Sequence, residues 1–294
     1  MTSQNFKRML AAVLSLGGMV ALGVSVGFGQ SASPLLLDLS GQSASIRYSP
    51  GALDRASKVQ DYVELMVEDF DSWSKERIPL GIYILSPEDW KGIGLQEPYG
   101  VPSPMGGRGL AVPAWGTPEM VRLWETLTKS RLPTMPSESI SRGSPEEMAS
   151  LLVSDVLGIF ELARIQLKSA GFRGDKPWVE GVAAQIMALS GALLHKDQRL
   201  PEMRMIYGSL EAAGGGPQAH ALPELTSSRS VQTKLWFESQ FFTAASIVAE
   251  SGGKQPAKQM LRTARKNGGV IRASDLISSF PGLDGWLRSS FSSQ

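Results

Sequence analysis

The stretch from Ser144 to His195 constrains this chain most, because it specifies two long helices with a short turn between them. Ser144-Pro145-Glu146-Glu147 is a helix start in which Ser144 caps, Pro145 takes the first turn and Glu147 closes a capping box. That helix is expected to run to about Ala170, with Gly171 stopping it. The second is expected over Pro177 to His195, with Asp175 as its cap. Its small residues Gly181, Ala183, Ala184, Ala188, Gly191 and Ala192 permit close packing by other elements.

The residues before this pair read differently. Ser45 to Tyr48 and Leu80 to Leu85 read as strands, the latter from the β-branched and aromatic run Ile82, Tyr83, Ile84. Between them, Leu53 to Trp73 carries Val59, Tyr62, Val63, Met66, Val67 and Phe70 at helical spacing. Ser86-Pro87-Glu88-Asp89-Trp90 is a capped helix start. Residues 91–118 are rich in Gly and Pro around a candidate strand at Arg108 to Pro113, and loops of this kind often form clefts. A helix is predicted near Pro118 to Ser130, then a Ser- and Pro-containing connector from Pro133 to Gly143. The expected fold class is α+β: a small N-terminal mixed sheet with helices over residues 44–143, then a mainly helical half over residues 144–294. Residues 30–43 read as a leader or an edge strand.

Residues 1–29 have Lys7 and Arg8, an apolar run from Met9 to Phe28 and the small-x-small exit Gly27, Phe28, Gly29, which is the pattern of a secretory signal peptide. The run is roughly 20 residues, the length of a membrane span, so an uncleaved segment would be an anchor, although its glycines and small-residue exit favour cleavage. The chain is therefore expected to be exported, periplasmic or secreted. It contains no cysteine, which excludes a lipoprotein anchor and disulfides and leaves stability to the core. Loss of Lys7 and Arg8 with the signal moves the formal charge from +1 to −1, which suggests neither nucleic acid nor an anionic membrane as partner.

Chemistry concentrates on the two opening helices, in FELAR (160–164) and PWVEGVAAQ (177–185). Catalytic zinc needs about three protein ligands, usually imidazole or carboxylate, plus a water whose pKa it lowers. Two ligands at i and i+4 share one helix face. Here those positions hold Phe160, which cannot coordinate, and Arg164, which has no acceptor. The chain's two histidines, His195 and His220, form no such pair. No metal and no cofactor are expected.

These residues nevertheless resemble the gluzincin-like metallopeptidases of the MA clan, where an H-E-x-x-H helix and a W-x-x-E-G-x-A helix carry the zinc ligands and the general base. LGIYILSPEDW is similar to the family's small sheet, and WFESQFFTAASIVAESGG, KQPAKQMLRTARKNGG and LDGWLRSSF are similar to its helical tail. The likeness covers most of residues 44–291, with Glu161, Glu180, Gly181 and Ala183 at its specific positions and Trp178 one place nearer to Glu180 than the pattern has its Trp. It implies a zincin-like fold. It puts Phe160 and Arg164 where the imidazoles would be, Glu161 at the general base and Glu180 at the third ligand. It also implies a pseudopeptidase without hydrolysis, whose former cleft is formed by Phe160, Glu161, Arg164, Trp178 and Glu180.

If Glu161 and Glu180 face one poorly solvated space, their charges need a cation or a proton. Arg164 is expected to bridge them, and Phe160 to fill the remaining volume. The function that follows is binding of a peptide or protein as a strand added to the sheet's edge, with Arg108 to Pro113 as the candidate edge. Two other readings stand beside it: a metal-independent hydrolase using the Glu161/Glu180 carboxyl pair, and a structural exported helical domain. Other chemistry is thin. There is no G-x-S-x-G outside the signal-like residues 1–29, Gly214-Gly215-Gly216-Pro217 lacks the Lys and Ser or Thr of a phosphate loop, and the basic run Lys254 to Lys266 reads as a solvated helix face.

Overall fold

A computed structural model of the chain describes residues 35–41, 43–129, 132, 143–195, 200–216, 218–228, 230–251 and 255–291. Residues 1–29, read above as a signal peptide, and nearly all of the 133–143 connector lie outside them. Within the stretch read as a leader or an edge strand, Leu37–Leu39 forms strand β1, at the edge of the sheet and antiparallel to β2 (Ala44–Tyr48). In β2 the alternation is strict: Ala44, Ile46 and Tyr48 are buried, Ser45 and Arg47 exposed, as a half-covered strand requires. β3 (Leu80–Leu85) pairs parallel with β2 and with β5 (Gly109–Pro113), and β4 (Ser103–Met105) closes the far edge antiparallel to β5. The sheet order is β1-β2-β3-β5-β4.

That order corrects the expected edge. Arg108 itself precedes the strand, and Gly109–Pro113 is an interior strand between β3 and β4, buried at every position because Leu110 and Val112 join the main core and Ala111, on the other face, a smaller apolar cluster. The three residues of β4, too short for a strand pattern to show, form the edge instead.

Helix α1 (Leu53–Ser74) makes the crossover between parallel β2 and β3, burying Ala56, Val59, Val63, Val67 and Phe70 along one face. α2 (Pro87–Ile93) starts where Ser86 accepts from the Asp89 N–H, and α3 (Pro118–Thr128) where Thr117 accepts from the Met120 N–H. α4 (Pro145–Ser169) opens with the full capping box: Ser144 Oγ accepts from the Glu147 N–H, and the Ser144 N–H donates back to Glu147. α5 (Pro177–Leu194) is apolar enough to cross a membrane by length and composition, but 72% of that window is buried inside the protein. Asp175 does not cap it. The short pairing of β6 (Arg173–Gly174) with β7 (Val270–Ile271) carries Asp175 to the start of α10 (Ala273–Ser279), where its carboxylate accepts from the Ala273 N–H.

The helical half is completed by α6 (Leu200–Ala213), α7 (Glu224–Ser227), α8 (Val231–Ser251), α9 (Pro256–Lys266) and α11 (Gly282–Ser290). α8 packs along α5 and also meets α6 and α11. Sheet and helices share one continuous apolar core, running from Ile46, Ile82 and Val112 through Phe160 and Val182 to Trp236 and Leu283. The class is α+β, with the sheet first and the mainly helical half after it.

Candidate functional site

A cleft of about 410 Å³ opens where the second half of α4, the first turn of α5, α7 and the first half of α8 meet the loop leading into β4. Helical spacing builds its walls. On α4, Leu157, Phe160, Glu161 and Arg164 fall at i, i+3, i+4 and i+7 and line it together. On α8, Val231, Lys234, Leu235, Glu238 and Phe241 follow the same period. Gly181 of α5 also lines the cleft, and a Cβ there would collide with the Phe241 ring, so the bare Cα is what lets α8 lie close. Pro104 brings edge strand β4 to the rim.

At the floor, Glu161 is only 8% exposed. Its Oε1 accepts from Arg164 Nη1 at 2.7 Å, and Oε2 is buried with no donor among the described residues. Burial pushes the Glu161 carboxyl above its ordinary value, while Arg164 and Lys234 pull it down and Glu97 adds to the rise. Burial works against the Arg164 charge too, but the field of Glu161, Glu238 and Glu180 outweighs it and raises that group. The guanidinium carbon lies 5.8 Å from the centroid of the Phe160 ring, which is 2% exposed and fills the floor beneath it.

The carboxyl that shares this space with Glu161 is Glu238. Burial, then the negative charge of Glu161, push it well above the usual carboxylate range. Lys234, one turn earlier, is tied to Glu97 at 3.0 Å. Behind them the Tyr207 hydroxyl is raised, first by burial and then by Glu238.

Two expectations for the site change. Arg164 does not bridge Glu161 and Glu180. Glu180 is exposed at the mouth, in the first turn of α5 and packed over Gly174, and no ion pair joins it to Arg164, which feels it only at longer range. Trp178 does not line the cleft. The helix turns it inward, 5% exposed, with its ring 6.0 Å from that of Trp286 on α11. Ala183 is likewise core.

The side chains present do not fit a zinc ion. Phe160 and Arg164 offer no ligand atoms, and Arg164 already holds one oxygen of Glu161. His195 Nε2 lies 2.8 Å from Asp69, and His220 Nδ1 lies 2.8 Å from Glu224 with its ring against Trp236. Neither lines the cleft. Among the described residues, no group of three or more His, Cys, Asp or Glu is placed to hold a metal.

Sequence reasoning passed over Glu238, Lys234 and Glu97. A signal for the first was present: Glu238 interrupts the apolar face of Val231, Leu235 and Phe241, where an acid is out of place unless something faces it. No protein-family model matches this chain, and no curated protein sequence matches it.

Proposed function

We propose that the chain is an exported, non-catalytic relative of the gluzincin-like zinc peptidases that holds a peptide or protein segment in the cleft. The observation that carries this is the cleft's position and content. It is floored by the two motif helices, with the guanidinium of Arg164 against Glu161 and Phe160 packed beneath. Arg164 thereby supplies the positive charge that the buried carboxyl needs without a metal. The antiparallel edge strand β4 at the rim agrees with peptide binding. However, β4 is three residues long and Pro104 has no N–H to give an incoming strand, so side-chain pockets must supply most of the recognition. Elemental analysis and a peptide-hydrolysis assay on residues 30–294 test the reading together. The expected outcome is neither stoichiometric zinc nor turnover; stoichiometric zinc with turnover would overturn it.

One observation favours a second reading. Burial raises both carboxyls, but Glu238 is pushed well above its ordinary value while Arg164 opposes the rise of Glu161, so the two differ as a general acid and its partner require. A metal-independent hydrolase would use that pair rather than Glu161 and Glu180. Glycoside turnover that disappears in Glu238→Gln is its signature.

A further inference from the structure

We infer that the cleft recognises a primary ammonium on an apolar stem, from a lysine side chain or a free amino terminus, held between Glu161 Oε2 and the carboxyl of Glu238. The inference rests on the peptide-binding reading and names the chemistry of its ligand.

The charges in the cleft do not balance. Four carboxyls line it, from Glu97, Glu161, Glu180 and Glu238, against the two cations Arg164 and Lys234. Both cations are engaged, Lys234 by Glu97 and Arg164 by Glu161 Oε1. What remains at the floor is a buried oxygen of Glu161 without a donor, and Glu238, which makes no ion pair among the described residues and becomes a pure acceptor once it gives up its proton. A buried carboxylate oxygen without a hydrogen bond is costly, so a ligand that donates to it gains what the free protein lacks. Two carboxyls with no third ligand do not make a metal site, and none of that kind exists among the described residues.

An ammonium has three donors and no acceptor, which is the complement of this floor. Its stem also finds a surface. Phe160, Phe237 and Phe241 line the cleft with Leu235, and methylenes pack well along such rings while the charge stays near their faces. The volume, at the small end of the range for ligand pockets, suits one extended side chain or one chain terminus.

Proton linkage follows from the same geometry. The charged or titratable groups around Glu238 are Glu97 from the loop, Glu161 and Arg164 from α4, Tyr207 from α6 and Lys234 from its own helix. In the free protein their sum, with burial, favours protonated Glu238. An arriving ammonium favours the ionised form, so binding releases a proton and tightens as pH rises toward the Glu238 value.

Calorimetry on residues 30–294 tests this with three pentapeptide amides of otherwise equal sequence: N-acetylated with a central lysine, N-acetylated with norleucine in its place, and lysine-free with an unblocked amino terminus. At least one ammonium-bearing peptide is expected to bind about tenfold to a hundredfold more tightly than the norleucine peptide, and the comparison of the two separates side chain from terminus. Repeating the titration in buffers of different ionisation heat is expected to show proton release. Glu238→Gln is expected to erase the ammonium preference, bringing the ammonium-bearing and norleucine peptides to equal affinity; Glu68→Gln, on the exposed side of α1, is expected to change nothing. Should Glu238→Gln fail to fold by circular dichroism, the three peptides on the native sequence decide the matter alone. Equal binding of all three peptides overturns the ammonium site and leaves the peptide-binding reading standing. Binding of 1,5-diaminopentane but of no peptide overturns that reading and leaves the ammonium site. If neither peptides nor diamine bind, both fall.

Discussion

Gly181 shows how one missing carbon shapes the cleft. A methyl group there would overlap the Phe241 ring, which is itself buried and stacked toward Phe237. Gly181→Ala gains about 1 kcal/mol of helix propensity, but overpacking of a fitted contact costs about 1–3 kcal/mol, so the collision wins. The expected outcome is a net loss of about 1 kcal/mol in urea unfolding, recovered when Phe241→Leu is added. Equal stability of Gly181→Ala and the native chain would mean that α8 does not depend on that close approach. The sequence had already singled out Gly181 within PWVEGVAAQ, as a small residue and as a match to the family pattern; its partner lies 60 positions away on a helix read as tail, so the packing reason for the glycine was out of reach.

Between elements, the clamp with the greatest leverage is also one that local pattern could not reveal. Arg55 of α1 donates from Nη1 to Asp155 of α4 at 2.9 Å and from Nη2 to its other oxygen, and its Nε reaches the Pro113 carbonyl at the end of β5. Both side chains are largely buried, at 13% and 14% exposure. Burial disfavours the Arg55 charge, yet Asp155 more than restores it. Asp155→Ala would strand a buried guanidinium and is expected to cost about 3–5 kcal/mol, whereas a matched apolar pair at 55 and 155 should recover most of that. Chemical unfolding of the three proteins distinguishes a clamp from a passive contact. By contrast, Ser144→Ala is expected to remove about 1 kcal/mol, because the box loses one of its two bonds. The capping box was legible because four adjacent residues write it. The Arg55 fork spans 100 positions, and Asp175 was drawn from its expected helix by a pairing with β7 almost as distant. Local rules locate the starts of α2, α3 and α4 well for this reason, and they fail where a long-range partner competes for the same group.

At the scale of the whole molecule, the motif helices told where the cleft floor lies, but the charge that completes it comes from α8, where no motif marks it. Phe160, Glu161, Arg164 and Glu180 line one cleft as a helical period and a turn allow, while Trp178 is one step off that face and goes to the core. The result is a protein carrying carboxyls that folding disfavours as anions. Glu238 and Glu161 are raised chiefly by burial, and Asp69 and Asp71 are raised in the same direction. The sign follows from linkage. A carboxyl whose folded value exceeds its unfolded one, near 4.5 for Glu, contributes its full stability below that pH and loses it as pH rises through the folded value. These carboxyls are therefore expected to weaken the native chain as pH rises above about 4.5 and through their folded values. Glu238→Gln keeps the shape and removes the charge, so its advantage over the native chain should grow with pH in urea midpoints; parallel curves would show that Glu238 ionises freely after folding. A residue whose neutral replacement stabilises the fold while erasing the preference for an ammonium ligand is the mark of a site kept for binding at the expense of stability.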